Sequence, residues 1–303
     1  MSGQPLLECV PNFSEGRRPG VVEALAHAAG SVRGVQLLAY ESDPDHNRGV
    51  FTLAGPRGPL VHALRAMAGT ALRLIDLNYH EGVHPRIGAL DVAPFVPLGD
   101  SPMSEAILAA EELAAVLSRD LGLPCYLYGE AARVPLRRNL AEVRNLGFEA
   151  LRDRIAEEAS LAPDFGPPRV HPTAGAVAVG ARDFLIAFNV LLDTQDLRPA
   201  RAIARQIRER DGGLPAVRAL GLPLPRLACV QVSMNLVDYR RTGLFEAFRR
   251  VEELARGMGV PLRGSEMIGM LPRAALRGGA LEDLRFLDFD PQARILEERL
   301  AGG

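Results

Sequence analysis

Apolar and polar positions along this chain follow two periods. Helical spacing recurs at 19–29, where Val21, Val22, Leu25 and Ala29 follow Pro19. It recurs at 60–77, with Val61, Leu64, Met67, Ala68, Ala71 and Leu74 on one side, and again at 104–121. Shorter and more charged helical patterns cover 148–159, 200–210 and 245–258. Pro19 suits a first helical turn, and Ser101 or Ser104 suits the cap of the third helix. Apolar runs of strand length lie at 6–10, 35–40, 49–54, 90–97 and 125–128, then at 176–179, 183–192, 215–220, 227–236 and 261–271. The turn-rich Asp43-Pro44-Asp45 joins two of these runs into a hairpin. His62 reads as an ordinary residue of the second helix.

The first half therefore runs β-α-β-β-α-β with one further helix and strand, the order of a split βαβ unit with helices on one face of a sheet. The second half repeats the order of elements without repeating the sequence. The expectation is an α+β fold of two ferredoxin-like (βαββαβ-type) subdomains, each a mixed sheet with helices on its outer face, and a ligand cleft between them. The stretch 162–175 holds four Pro and two Gly and marks the boundary. It divides the chain into 1–175 and 176–303. Asn189 and Asn235 interrupt apolar strands, and a buried Asn must find a hydrogen-bond partner.

Composition narrows the chemistry. The 303 residues are 48% hydrophobic and 24% charged, ordinary for a globular enzyme with a core of its own. A net charge of -2 gives no reason to expect a nucleic-acid or acidic-membrane surface. All 35 basic side chains are Arg. Schiff-base or Lys-nucleophile chemistry is thereby excluded, and any carboxylate clamp is a guanidinium. Cys9, Cys125 and Cys229 have neither the number nor the spacing of a disulfide framework or a Cys-based zinc site. No secretory pattern opens the sequence and no apolar run is long enough to span a bilayer, so a reducing cytoplasm is expected.

The densest chemistry lies at 76–91, which holds two of the six His. Gly82, Pro85 and Gly88 break regular structure there, and polar groups on a loop between rigid flanks are placed for binding or catalysis. His80-Glu81-Gly82-Val83-His84 is formally H-E-x-x-H, which on one helical face would bind zinc with the Glu as base. Gly82 and Pro85 weigh against a helix. A solvated loop is the bland alternative. Near the amino terminus, Asn12 and Ser14 read as turn and helix-start residues.

The spaced residues His80, Gly82, His84-Pro85-Arg86, Gly88-Ala89, Asp91-Val92 and Pro94-Phe95 resemble the signature of the formiminotransferase family. Further matches follow in order: Glu8-Cys-Val-Pro-Asn-Phe-Ser-Glu-Gly16, Asn47-Arg48, Leu127-Tyr-Gly-Glu-Ala-Ala-Arg133, Ala162-Pro-Asp-Phe-Gly-Pro167, the run from Gly180 to Asn189, and Asn235-Leu-Val-Asp238. The resemblance covers nearly the whole chain. It implies an enzyme that moves a formimino group from N-formimino-L-glutamate to N5 of tetrahydrofolate. Tetrahydrofolate, in its polyglutamate form, would be a co-substrate, with no metal and with a homodimeric assembly. His84 takes the place of the catalytic acid/base. Gly166, Pro167, Pro168, Arg169, Val170, His171, Pro172, Thr173, Ala174 and Gly175 take that of the folate and substrate segment. Asn12, Glu41, Arg48, His80 and Arg86 complete the candidates, Arg48 and Arg86 as carboxylate clamps or as ion-pair partners of Asp45 or Asp91. Glu41 or Asp91 would orient His84. Val83 and Glu41 depart from the family pattern beside the site, and the donor, formimino or formyl, stays open at this point.

Overall fold

The computed structural model describes residues 4–301 except 45, 83 and 84. It is a mixed α+β structure whose contacts separate into two compact units, 1–182 and 183–303. His84, Val83 and Asp45, named above, lie outside the described residues.

The first unit contains β1 (Leu6–Cys9), β2 (Asn12–Phe13), α1 (Pro19–Gly30), β3 (Gln36–Asp43), β4 (Arg48–Gly55), α2 (Arg57–Leu74), β5 (Leu90–Leu98), α3 (Met103–Leu121), β6 (Cys125–Gly129), α4 (Leu140–Val143), α5 (Gly147–Arg154) and β7 (Val177–Ala181). Among the described residues its seven strands form one mixed sheet. β3 pairs with β4; β1 and β2 lie antiparallel between β4 and β5; β7 lies parallel between β5 and β6. The run at 176–179, expected to open the second half, is therefore an inner strand of the first sheet. Its small residues carry no local mark of which neighbour they pair with, and the choice is made by a distant crossing described below.

The helices form where apolar spacing predicts them. α3 buries Ala106, Ala109, Ala110, Leu113, Ala114 and Leu117, one stripe that packs against the sheet. Gly122, with φ 66°, ends it: its N–H returns to the Ser118 carbonyl and that of Leu123 to the Leu117 carbonyl. Neither expected serine caps this helix. Pro102 occupies the cap position, and Ser101 Oγ instead accepts from the Leu6 N–H at 2.9 Å, tying the start of β1 to the end of β5.

The second unit contains β8 (Ile186–Leu192), α6 (Leu197–Ile207), β9 (Val217–Leu224), β10 (Cys229–Leu236), α7 (Leu244–Gly257) and β11 (Leu262–Ile268). Its sheet order is β11-β8-β10-β9 and every pairing is antiparallel, so it is not the mixed sheet expected. The reason is topological. The helical crossovers β8-α6-β9 and β10-α7-β11 each skip one strand position, and the skipped position is filled by a strand of opposite direction. Phe188, Val190, Val232, Met234, Phe248 and Val251 are buried between sheet and helices. Asn189 is buried and donates to Glu266 Oε1 at 3.0 Å, while Asn235 is exposed.

Candidate active site

Three stretches of the first unit, distant in sequence, meet at one place. The loop 76–89 leads into β5 and the loop 165–176 leads into the parallel β7, so the starts of two neighbouring strands bring them together. The Leu77 N–H donates to the Thr173 carbonyl at 2.8 Å, Ala89 N–H to Ala174 at 2.9 Å, and Ala176 N–H to Ile87 at 2.8 Å. The backbones cross so closely that a Cβ at Gly88 would stand 2.0 Å from the Ala176 carbonyl oxygen, and one at Gly175 (φ 70°) 2.1 Å from that of Ile87. Only glycine fits at either position. The third stretch is 12–18. Ser14 donates its N–H to Ala89 and its hydroxyl to Gly88, at 2.9 and 2.7 Å. Ser14 thus fixes the His80 loop, and the start of α1 is held by Glu15, whose Oε1 accepts from the N–H groups of Arg17 and Arg18 at 2.9 Å.

The hairpin tip between β3 and β4 completes the arrangement through Asn47. It adopts the left-handed conformation (φ 49°), which Asn tolerates better than most residues. Its Oδ1 accepts from the Gly16 N–H, its Nδ2 donates to the Glu81 carbonyl, and its own carbonyl meets His80 Nε2, each at 2.9 Å. Sequence reasoning passed over this residue as part of a turn. A preference of Asn for left-handed backbone inside a Pro-rich, Asp-rich run was the available signal.

His80 has extended backbone (φ -83°, ψ 125°) just after a single 3-10 turn at Leu77–Tyr79. The helix that H-E-x-x-H needs is therefore not formed at its first His, and Nε2 of that His is already bonded within the protein. Burial, with a smaller contribution from the Arg86 guanidinium, holds the His80 pKa below its ordinary value. His171 is likewise held low by burial. Its Nδ1 accepts from the Ala174 N–H at 3.2 Å inside a tight turn closed by the mutual His171–Gly175 backbone bonds. In this segment Val170, Ala174 and Gly175 are buried, whereas Gly166, Pro168, Arg169 and Pro172 are exposed.

The two candidate clamps differ from expectation. Arg86 donates to the carbonyls of His80 and Leu77 at 3.0 and 3.3 Å and to Glu149 of α5 at 2.8 Å. It braces the loop against a helix more than sixty positions away. Asp91 is engaged at both oxygens, by the Ile87 N–H at 2.8 Å and by Arg144 at 3.0 Å. Burial and the nearby Arg144 charge push Arg48 down to about 10, with Asp91 acting in the opposite sense. Asn12 is buried in β2 with Nδ2 bonded to the Val10 carbonyl. Its Oδ1 finds no hydrogen-bond partner among the described residues. Glu41 is half-buried on β3, opposite Val50.

The 12–18 stretch, the hairpin tip and the run from the end of α2 to Glu81 enclose a cleft of about 370 Å³ whose lining includes Ser14, Arg17, Arg18, Asn47, Tyr79 and His80 and no residue of 166–175; of the sequence-predicted site residues His80 alone lines it among the described residues. A second pocket, of about 10 Å³, shares Ser14, Asn47 and His80 with the cleft and is bordered also by Arg86, Arg48 and Asp91. Among the described residues no three His, Cys, Asp or Glu side chains converge in the manner of a metal site. No helix of the described residues is long and apolar enough to cross a membrane.

Residues 6–182 match the family model described as the N-terminal subdomain of the formiminotransferase domain, and residues 187–299 match the one described as the formiminotransferase domain. The chain is 43% identical over 297 residues to the glutamate formimidoyltransferase of Streptococcus pyogenes serotype M1, covering 98% of this chain and 99% of that protein. It is 43% identical to the enzyme of the same name from Thermoplasma acidophilum, over 97% of both. Against the formimidoyltransferase-cyclodeaminase of Sus scrofa the identity is 39%, over 97% of this chain and 56% of that longer protein. Full-length similarity of this order, with both halves matched in sequence order, places the chain in the formiminotransferase family.

Proposed function

We infer that this protein is a glutamate formimidoyltransferase, moving the formimino group of N-formimino-L-glutamate to N5 of tetrahydrofolate. The observation that carries this is 43% identity over essentially the entire length to two proteins so named. The lone pair of N5 attacks the formimino carbon, N5 loses its proton, a tetrahedral intermediate forms, and the bond to the glutamate nitrogen breaks as that nitrogen is protonated. The reaction asks for one group that takes and returns a proton near neutral pH, and for charged contacts that hold two anionic substrates. His84 is the proposed acid/base by its place in His-Pro-Arg. Residues 166–175, with Asn12, Glu41, Arg48, His80 and Arg86, are the proposed binding set. The backbone contacts of 166–175 with the His80 loop support the place of that segment in the set, and the cleft supports that of His80. Arg17 and Arg18 on the cleft lining are added to it as contacts for substrate carboxylates.

We also read both units as ferredoxin-like, with the chain divided into subdomains near 175–182. The order β3-β4-β1-β5 in the first sheet and β11-β8-β10-β9 in the second both support this reading. A homodimer in the cytoplasm, acting on folate polyglutamates, completes the reading on family grounds.

Turnover of tetrahydrofolate with formiminoglutamate, with and without chelator, tests the reaction. Transfer indifferent to chelator, and reduced about 100- to 10,000-fold in His84→Ala, is the expected result. Undiminished turnover in His84→Ala would remove the proposed acid/base. No transfer from either formiminoglutamate or formylglutamate would remove the reaction.

A further inference from the structure

His80 lines the cleft, and its ring holds an unusual atom. Its Nε2 lies 2.9 Å from the Asn47 carbonyl oxygen, which can only accept, so Nε2 carries the hydrogen. Nδ1 of the neutral ring is then a lone-pair acceptor. It is buried and finds no hydrogen-bond partner among the described residues. Buried acceptors are rarely left so, and one at a site calls for a donor from outside the protein.

The tautomer is fixed by construction. The Asn47 peptide that receives the Nε2 hydrogen is held left-handed by two side-chain bonds, to Gly16 and Glu81. His80 lines both the 370 Å³ cleft and the 10 Å³ pocket, the second a space for one water-sized group. Arg86 also lines that pocket, and its Nε is buried and finds no hydrogen-bond partner among the described residues.

We propose that His80 Nδ1 selects the donor by accepting a hydrogen bond from the terminal N–H of the formimino group, with Asn47 as the positioning residue that keeps the ring in that tautomer. The assignment rests on the transferase reading above. The terminal =NH of a formimino group donates; the =O of a formyl group, of the same size, does not. A formyl oxygen would leave Nδ1 without a partner and turn lone pair toward lone pair. Sites built around a polar partner reject an analogue lacking it far better than apolar pockets reject a size change.

The test compares kcat/KM for formiminoglutamate and formylglutamate, with tetrahydrofolate, in the wild type, His80→Phe and Asn47→Gly. The 15N signals of the His80 ring are read alongside. The wild type is expected to prefer formiminoglutamate. His80→Phe should lower the formimino rate about 10- to 100-fold more than the formyl rate, so that the ratio narrows. Asn47→Gly keeps a residue that tolerates positive φ and removes both side-chain bonds. It should move the His80 signals toward a tautomer mixture and narrow the ratio in part, with KM for tetrahydrofolate unchanged. If His80→Phe does not fold, His80→Gln, whose amide can turn either a donor or an acceptor inward, should narrow the ratio in its place. Equal loss with both donors in a folded variant overturns the His80 assignment and leaves the transferase reading standing. A wild type that moves neither group overturns the transferase reading itself, so the two failures are distinguishable.

Discussion

The two units place their ion pairs differently. In the first, Arg144–Asp91 and Arg137–Asp164 are 3.0 and 2.9 Å long, and the two Asp side chains are 4% and 6% exposed. Each sits beside a loop. Asp91 also takes the Ile87 N–H, and Asp164 also takes the Leu127 N–H. In the second unit the acids of the pairs among the described residues are all more exposed, as in Arg198–Asp196, Arg240–Asp238 and Arg250–Glu253. A sheet with regular antiparallel register and two amphipathic helices is held by its apolar core. Loops that must present polar groups in a fixed geometry have no such core, and buried charge with directional hydrogen bonds takes its place. Buried pairs are costly to break because one partner is left charged and desolvated, whereas exposed pairs are screened and contribute little.

The largest effect should come from Asp91→Ala. It leaves the Arg144 guanidinium and the Ile87 N–H unpaired in a buried place, and a loss of about 3–5 kcal/mol is expected in denaturant unfolding. Asp91→Asn, which keeps an acceptor for Ile87, should cost less. A loss no greater than that of an exposed pair would erase the contrast between the units.

The same contrast marks what the sequence could convey. α2 and α3 were legible because their apolar stripes are local, as was the β3–β4 hairpin around its turn residues. The His80 loop and the 166–175 segment were each legible as candidate ligand-binding stretches. Their meeting was not, because it depends on β7 entering the first sheet beside β5, fixed by Gly88 and Gly175 passing within contact of each other's strands. Arg86 was legible as an important cation, but its partner Glu149 lies far along the chain and no spacing announces it. Asn47 carried a turn signal and, with Arg48, a match to the family, but neither announced its bonds to Gly16, His80 and Glu81. The role of His84 is drawn from the resemblance alone. Short-range pattern specifies elements; close approach and long-range ion pairs assemble the site from them.

A second prediction sharpens the contrast through a charge buried in the first sheet itself. Burial on β1 raises the Glu8 carboxyl from 4.5 to about 7, against the opposing pull of Arg182. Between those two values the folded protein holds a proton that the unfolded chain has released. Stability therefore falls as pH rises through that window, and the cost is fully present above about pH 7. Glu8→Gln should remove it. Its stability should vary less from pH 4.5 to 7, and it should exceed the wild type at pH 8 by up to about 3 kcal/mol, less what Arg182 loses. Thermal unfolding across that range reads the effect. A variant less stable than the wild type at pH 8 would mean that the Glu8 charge is a net support of the sheet, as the Asp91 charge is of the loop.

The smallest effect should come from Arg198→Ala in the second unit. The Arg198 side chain is 90% exposed and its bonds to Asp196 stand open to solvent, where salt screens them. The same aspartate caps α6 by accepting the Arg198 backbone N–H at 2.9 Å, a bond that truncation of the side chain leaves in place. The helix also keeps Ala200, Ile203, Ala204 and Ile207 buried against its sheet. No measurable change in the thermal midpoint is expected, at low or high salt. Asp196→Ala, by contrast, removes the cap with the ion pair and should lower the midpoint, with salt making little difference. If Arg198→Ala instead destabilised the protein and the loss vanished at high salt, surface charge would be supporting the second unit as buried charge supports the first, and the difference between them would be one of degree.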